Sequence, residues 1–214
     1  MASFKAQYAE LLKREGNYHD GTIGGKVDIG GETYRGIARR YNPDFIGWDI
    51  IDALKVKGKI AYNSEIPSAN KAAYDYSKKQ YWDKLGLDNV KSQQVADIIF
   101  EINWGFPSKT LSTVKSTLKV SGTNYFPALV KDINLKDPKE LFGKLVDAYA
   151  SLLRNSSEYY KFTKNYENRI LGWIKKKDNF IVAGGIGFGT IAILGLGLFF
   201  LAKKRKTRKL TIIA

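Results

Sequence analysis

The sequence predicts a mostly α-helical domain with a small loop-and-hairpin insertion near its start and a single C-terminal transmembrane helix. Three observations predict it. Apolar residues recur at helical spacing from Phe4 to Trp173. Residues 16 to 36 hold seven glycines and almost no helical period, which marks loops and short strands. Residues 180 to 202 read FIVAGGIGFGTIAILGLGLFFLA without a charge.

In chain order, Phe4, Tyr8, Leu11 and Leu12 form the stripe of a first helix, with Ser3 in N-cap position and Glu15-Gly16 at its end. A short hairpin is expected around Val27 to Thr33. Helices follow over 36–41, 68–82 and 92–103, where Val95, Ile98, Ile99 and Ile102 share one face of the third. Leu141, Phe142, Leu145, Val146, Tyr149, Leu152 and Leu153 give the clearest amphipathic pattern, and Phe162, Tyr166, Ile170 and Trp173 mark the last helix before the apolar run. At about 1.5 Å per residue that run extends roughly 34 Å, enough to cross a hydrocarbon core of about 30 Å. Gly185, Gly187 and Gly189 have neither the preceding strand nor the later acidic residue of a dinucleotide loop. Gly185 and Gly189 do form a small-xxx-small pair suited to weak self-association in a bilayer, and ordinary transmembrane composition is the plainer reading.

The 214 residues carry 35 Lys or Arg against 21 Asp or Glu, a formal charge of +14, with no cysteine and one histidine. This excludes a disulfide scaffold, a cysteine-ligated zinc and a cysteine nucleophile, and routes any histidine chemistry through His19. An anionic partner is expected: nucleic acid, a membrane surface or an anionic cell wall. Six of the cations, Lys203, Lys204, Arg205, Lys206, Arg208 and Lys209, follow the apolar run. Basic residues beside a span anchor it to lipid, so this tail is read as a membrane flank and no nucleic acid is expected as a partner. Without those six, 29 basic face 21 acidic residues, leaving net +8 on the preceding part. The positive-inside rule favours the C-terminus inside and the large N-terminal part outside, the alternatives being a tail-anchored protein with its bulk in the cytoplasm or a span in a virion's internal membrane; residues 1–14 lack the apolar stretch of a secretion signal.

Candidate chemistry lies at Arg14-Glu15-Gly16-Asn17-Tyr18 and Asp28-Ile29-Gly30-Gly31-Glu32-Thr33-Tyr34-Arg35-Gly36-Ile37. Glu15 at a helix C-terminus faces unpaired carbonyls that disfavour its charge, and shielding by aromatic side chains raises its pKa further, as a general acid working near neutral pH requires. Asp28 lies across the glycine-rich loop and Thr33 offers a hydroxyl to orient a water. Two carboxylates of unequal pKa are the minimum apparatus for glycoside hydrolysis. Asp20 is the runner-up for the second carboxylate, His19 reads as a loop residue, and Glu32 is a further acid in the loop. Trp48, Trp82 and Trp104 can line a sugar groove or pack in the core, and Asn103 can bond a sugar amide or cap its helix. Tyr18, Asn103 and Trp104 form the substrate-binding set.

The pattern Glu15-Gly16 … Asp28-x-Gly30-Gly31-x-Thr33-x-x-Gly36-Ile37 resembles the start of the glycoside hydrolase family 108 muramidases, peptidoglycan hydrolases of the lysozyme superfamily. Tyr81-Trp82-Asp83-Lys84-Leu85 through Asp97, then Asn103-x-Gly105, resemble the junction with the family's C-terminal peptidoglycan-binding-like module. Arg154 … Tyr159-Tyr160 … Asn168-Arg169 and Gly172-Trp173 resemble that module's end. The resemblance implies a lysozyme-like fold and assigns the general acid to Glu15, with Asn17 in place of the motif's second glycine, and the supporting Asp and Thr to Asp28 and Thr33. Ser121-Gly122-Thr123-Asn124-Tyr125 lacks the module's Asp-Gly-x-x-Gly-x-x-Thr signature, which makes this half structural support for the cleft.

The expected organisation is a lysozyme-like catalytic half over 1–88, a helical module over 89–178 completing the domain, a transmembrane helix over 179–202 and a basic tail over 203–214. The expected function is membrane-anchored cleavage of the peptidoglycan glycan backbone with no cofactor, the partners being glycan strands and, through 180–202, the lipid bilayer. A lytic transglycosylase, a non-catalytic envelope-binding protein and a holin-like membrane protein are the alternatives. The expected setting is a phage product in a virion's internal membrane or at the host inner membrane, its catalytic domain facing the wall.

Overall fold

The computed structural model describes residues 1–23, 26–28, 30–160 and 163–182, apart from the side chains of residues 23 and 26. The chain divides into two compact units, Met1–Lys177 and Asp178–Ala214, and of the second only 178–182, the end of a helix, lie among the described residues. Mostly helical structure is found. No helix among the described residues is long and apolar enough to cross a membrane. Residues 183–202, most of the apolar run, lie outside the described residues, as do Gly185, Gly189 and the basic tail.

Helix α1 (Phe4–Glu15) buries Phe4, Gln7, Tyr8 and Leu11 along one face. Ser3 occupies the N-cap position, yet its side chain makes no capping bond. Its backbone is held instead by Gln93, whose amide accepts from the Ser3 N–H (2.7 Å) and donates to the Ser3 carbonyl (3.1 Å). Gly16, at φ +69°, ends the helix in a conformation that costs a side chain about 1 kcal/mol or more. Asn17 is not among the positive-φ residues, so the turn requires glycine only at position 16.

The glycine-rich segment folds into short strands, with pairings that differ from the single hairpin expected over Val27 to Thr33. Strands β2 (Thr22–Ile23) and β3 (Lys26–Val27) pair with each other, while β1 (Tyr18–His19), β4 (Thr33–Tyr34) and β5 (Ile37–Ala38) form an antiparallel sheet in the order β1-β4-β5. The helix expected over 36–41 is therefore incorrect. Tyr34 pairs with Ile37 across a two-residue loop, Arg35 at φ +49° and Gly36 at φ +78°. Positive φ at both positions is the signature of a type I′ hairpin turn, whose twist matches the flanking strands.

Helix α2 (Gly47–Lys57), absent from the sequence reading, buries Trp48 and Ile51, and α3 (Pro67–Ser77) follows with Pro67 at its first turn. One turn of π-helix, Lys78–Trp82, completes the stretch expected as one helix to Trp82, and 3₁₀ turns at Asp83–Leu85 and Leu87–Asn89 follow it. Tyr34 links sheet to helix: its hydroxyl donates to the Ile66 carbonyl and accepts from the Ile66 N–H, both at 3.0 Å. Tyr18, Tyr34, Ile37, Phe45, Trp48, Ile51 and Ile66 make one apolar cluster under the sheet.

Helix α4 (Gln93–Gly105) is the central element. Ser92 caps it by accepting from the Val95 N–H, and eight of its side chains are buried, Glu101 and Asn103 among them. It packs against α5 (Pro107–Leu118), α7 (Pro138–Arg154) and the π turn. A 3₁₀ turn at Phe126–Leu129 and the short α6 (Val130–Leu135) lead into α7. Asp137 caps α7 by accepting from the N–H groups of Lys139 (3.0 Å) and Glu140 (2.8 Å), with Pro138 at the first turn. Helix α8 (Thr163–Val182) buries Ile170 and Trp173; Phe162 of the predicted stripe lies outside the described residues.

Candidate active site

Glu15 ends α1 with its side chain 18% exposed. What closes round it is the Arg35–Gly36 turn. A Cβ at Gly36 would stand 2.8 Å from Cζ2 of Trp104 and 2.9 Å from Cγ of Glu15. The turn residue facing the acid can therefore only be glycine, for its positive φ and for the space. Trp104, at the end of α4, is partly buried and lies beside Tyr81, ring centroids 4.6 Å apart, and on Phe100. Burial pushes the Glu15 carboxyl above the ordinary carboxylate range; the guanidinium groups of Arg169 and Arg14 and the Trp104 indole oppose the shift, and the Glu101 carboxylate reinforces it.

Behind Glu15 lies a charged network that the sequence reading missed. Glu101 has a fully buried side chain and accepts from Arg14 at 2.6 Å and from the Tyr149 hydroxyl at 3.0 Å. Arg169, from α8, places Nη2 3.4 Å from the Glu15 carboxylate and Nε 3.9 Å from that of Glu101. The signal for Glu101 was present, since a carboxylate beside the Ile98, Ile99 and Ile102 stripe of a buried helix must find a cation. No local pattern links it to Arg169.

Asp28 and Thr33 belong to the sheet. Asp28 accepts from the Gly30 N–H at 3.2 Å, and its other oxygen lies 3.7 Å from Nε2 of His19, which sits opposite Thr33 in the β1–β4 ladder. Thr33 is buried and donates to the Gly31 carbonyl at 3.1 Å. Asp28, His19 and Thr33 thus gather at one end of the hairpin whose opposite end, the Arg35–Gly36 turn, meets Glu15. Asp20 accepts from the Thr22 N–H at 3.0 Å.

Of the other candidate side chains, Tyr18 is 3% exposed and donates to Glu32 at 2.7 Å. Asn103 is buried within α4, donating to the Tyr81 carbonyl (3.3 Å) and accepting from the Thr110 hydroxyl (3.2 Å), so its amide serves the α4–α5 packing. Trp48 and Trp82 are core residues. Glu32 receives hydrogen bonds from Arg39, Lys55 and Tyr18; burial works against its charge, but these donors outweigh it and hold the carboxyl below its usual range. An open depression of about 500 Å³ lies beside β1, lined by Asp20, Lys55, Lys57, Lys59 and Ile60, and Glu15 is not part of its wall. Among the described residues no group of three or more acidic or histidine side chains is placed to hold a metal ion.

Residues 8–106 match the model of the family described as Glycosyl hydrolase 108. The match takes in Glu15, the sheet, the Arg35–Gly36 turn and the whole of α4, and ends before α5. The chain is accordingly a glycosidase acting on peptidoglycan. Among solved structures, that of Brucella abortus SagA shares the fold, with a TM-score of 0.57 at 16% identity over 83% of this chain and 94% of that one. No curated protein matches the sequence.

Proposed function

We propose that this glycosidase is an N-acetylmuramidase whose general acid is Glu15, cleaving the bond from N-acetylmuramic acid to N-acetylglucosamine. The observation that carries the reading is a carboxyl both partly exposed and pushed upward in pKa, seated between the Gly36 turn and Trp104 inside the matched domain. A carboxyl that keeps its proton to higher pH than an ordinary carboxyl is better able to hand it to the glycosidic oxygen as the bond breaks. Trp104, partly exposed beside it, offers an aromatic face to a sugar ring. Asp28 is the second carboxylate, able to stabilise positive charge on the ring carbon. Thr33, whose hydroxyl is engaged with Gly31, holds the loop that carries Asp28.

The apolar run 180–202 and the cations behind it support anchoring of the enzyme to a bilayer, and a phage product acting on the wall from a virion membrane or the host inner membrane fits that design. The net +8 outside the tail suits an anionic polymer, and Lys55, Lys57 and Lys59 supply part of it beside the sheet.

Glu15→Gln decides the assignment. Digestion of purified sacculi should fall at least about 100-fold, the scale on which a lost general acid is felt, and near-normal digestion by that variant would end the proposal. Mass spectrometry of the products separates the chemistries: muramic acid reducing ends are expected, and anhydro-muramyl ends would make the enzyme a lytic transglycosylase.

A further inference from the structure

The structure assigns to Arg169 of α8, outside the matched glycosidase segment, the role of positioning residue for Glu15, which makes α8 part of the active site. The inference rests on the reading of Glu15 as the acid. Three observations lead to it. Arg169 is held in place: Ile170 and Trp173 of the same helix are buried, and the Arg169 guanidinium lies between the Glu15 and Glu101 carboxylates. Glu101 is anchored independently by Arg14 and Tyr149, so it forms a fixed acceptor at the rear of the guanidinium. The front of the guanidinium reaches a single Glu15 oxygen, at 3.4 Å. That is a loose contact by hydrogen-bond standards, and the Trp104 indole is a further donor beside the same carboxyl.

An arginine so placed does two things. It fixes which carboxyl oxygen faces the guanidinium, and so how the carboxyl is turned. It also limits how far burial raises the acid, because a cation within about 4–6 Å favours the carboxylate. The groups facing Glu15 are Arg14 of its own helix, Glu101 and Trp104 of α4, and Arg169 of α8, with Tyr149 of α7 facing Glu101 and Arg169. Arg169 heads the cations on that list, so its removal should be felt most.

The test uses the full chain and two readouts, the ¹³C-detected titration of the Glu15 side-chain carboxyl and the pH profile of kcat/KM on purified peptidoglycan. Arg169→Met should move the Glu15 titration to higher pH by about one unit or more. The alkaline limb of the profile should follow by the same interval, since activity requires the protonated acid. Arg169→Lys should restore at least half of the shift. A Glu15 titration unmoved in folded Arg169→Met overturns the inference. Should that variant fail to fold, Arg169→Met combined with Glu101→Gln removes the buried carboxylate with its partner, and the same upward shift of Glu15 relative to Glu101→Gln alone is required. The titration does not depend on turnover, so failure here is distinct from failure of the Glu15 assignment, which Glu15→Gln alone decides.

Discussion

At Glu15, the raised pKa that the proposed acid role requires works against stability. A carboxyl whose pKa is raised in the folded chain binds its proton more tightly there than in the unfolded chain, where the value is about 4.3. Below that pH both states are protonated and nothing is lost. As pH rises through the window up to the folded value, the folded state is progressively penalised, and above it the whole penalty applies. Glu15→Gln, a permanent mimic of the protonated form, should therefore be more stable than the wild type in urea titrations at pH 7 and match it near pH 4; equal stability at both would show that Glu15 is not strained. Gly36 offers a second residue-level test. Alanine there adds a Cβ at 2.8 Å from Trp104 and 2.9 Å from Glu15 at φ +78°. The variant should lose about 1 kcal/mol or more from backbone strain alone. It should lose most lytic activity as well, because acid and tryptophan are pushed apart. Thermal melts and sacculus clearing measure both effects. The glycine was visible in the sequence as part of a motif, but its contacts were not, since Gly36 and Trp104 meet only through the fold.

Among the elements, legibility followed the strength of local signals. α1, α4 and α7 announce themselves by apolar stripes of helical period; the one N-cap read from the sequence, Ser3, makes no capping bond, whereas Ser92 and Asp137, not singled out there, cap α4 and α7. The capping of α7 is testable: Asp137→Ala frees two N–H groups and should cost about 1 kcal/mol in chemical denaturation. The segment 36–41 misled because Gly-Ile-Ala-Arg-Arg carries helix-forming residues, whereas the Arg35–Gly36 turn, paired through Tyr34 and Ile37, puts Ile37 and Ala38 into a strand. α2, α5 and α6 each bury three residues or fewer, leaving a weak period to read. Tyr18 and Asn103 illustrate the same limit. Each is a polar side chain in the right stretch, and only packing shows that the Tyr18 hydroxyl is spent on Glu32 and the Asn103 amide on Tyr81 and Thr110.

Across the whole molecule, the buried Glu101 joins four helices: α4 carries it, α1 supplies Arg14, α7 Tyr149 and α8 Arg169. Removing one partner of a buried ion pair leaves uncompensated charge and costs about 3–5 kcal/mol. Glu101→Ala should accordingly destabilise the protein by that order in equilibrium unfolding, far beyond a surface ion pair such as Lys13–Glu10. It should also reduce lysis by releasing Arg169. A cost under about 1 kcal/mol would mean that the network does not tie the helices together.

The sequence by itself determined the helical class, the boundaries of α1 with Glu15 at its end, the exclusion of cysteine-based chemistry, and the apolar run with its basic flank. These are local properties, carried by periodicity, caps, composition and charge. Tertiary structure alone decided that a type I′ turn would press Gly36 against Glu15 and Trp104, that Asp28 would sit with His19 and Thr33 at the far end of that hairpin, and that Arg169 would return 154 residues later to face the acid. Such contacts depend on how far burial lowers the local dielectric and on which distant charges share the same space, and neither quantity exists until the helices have packed.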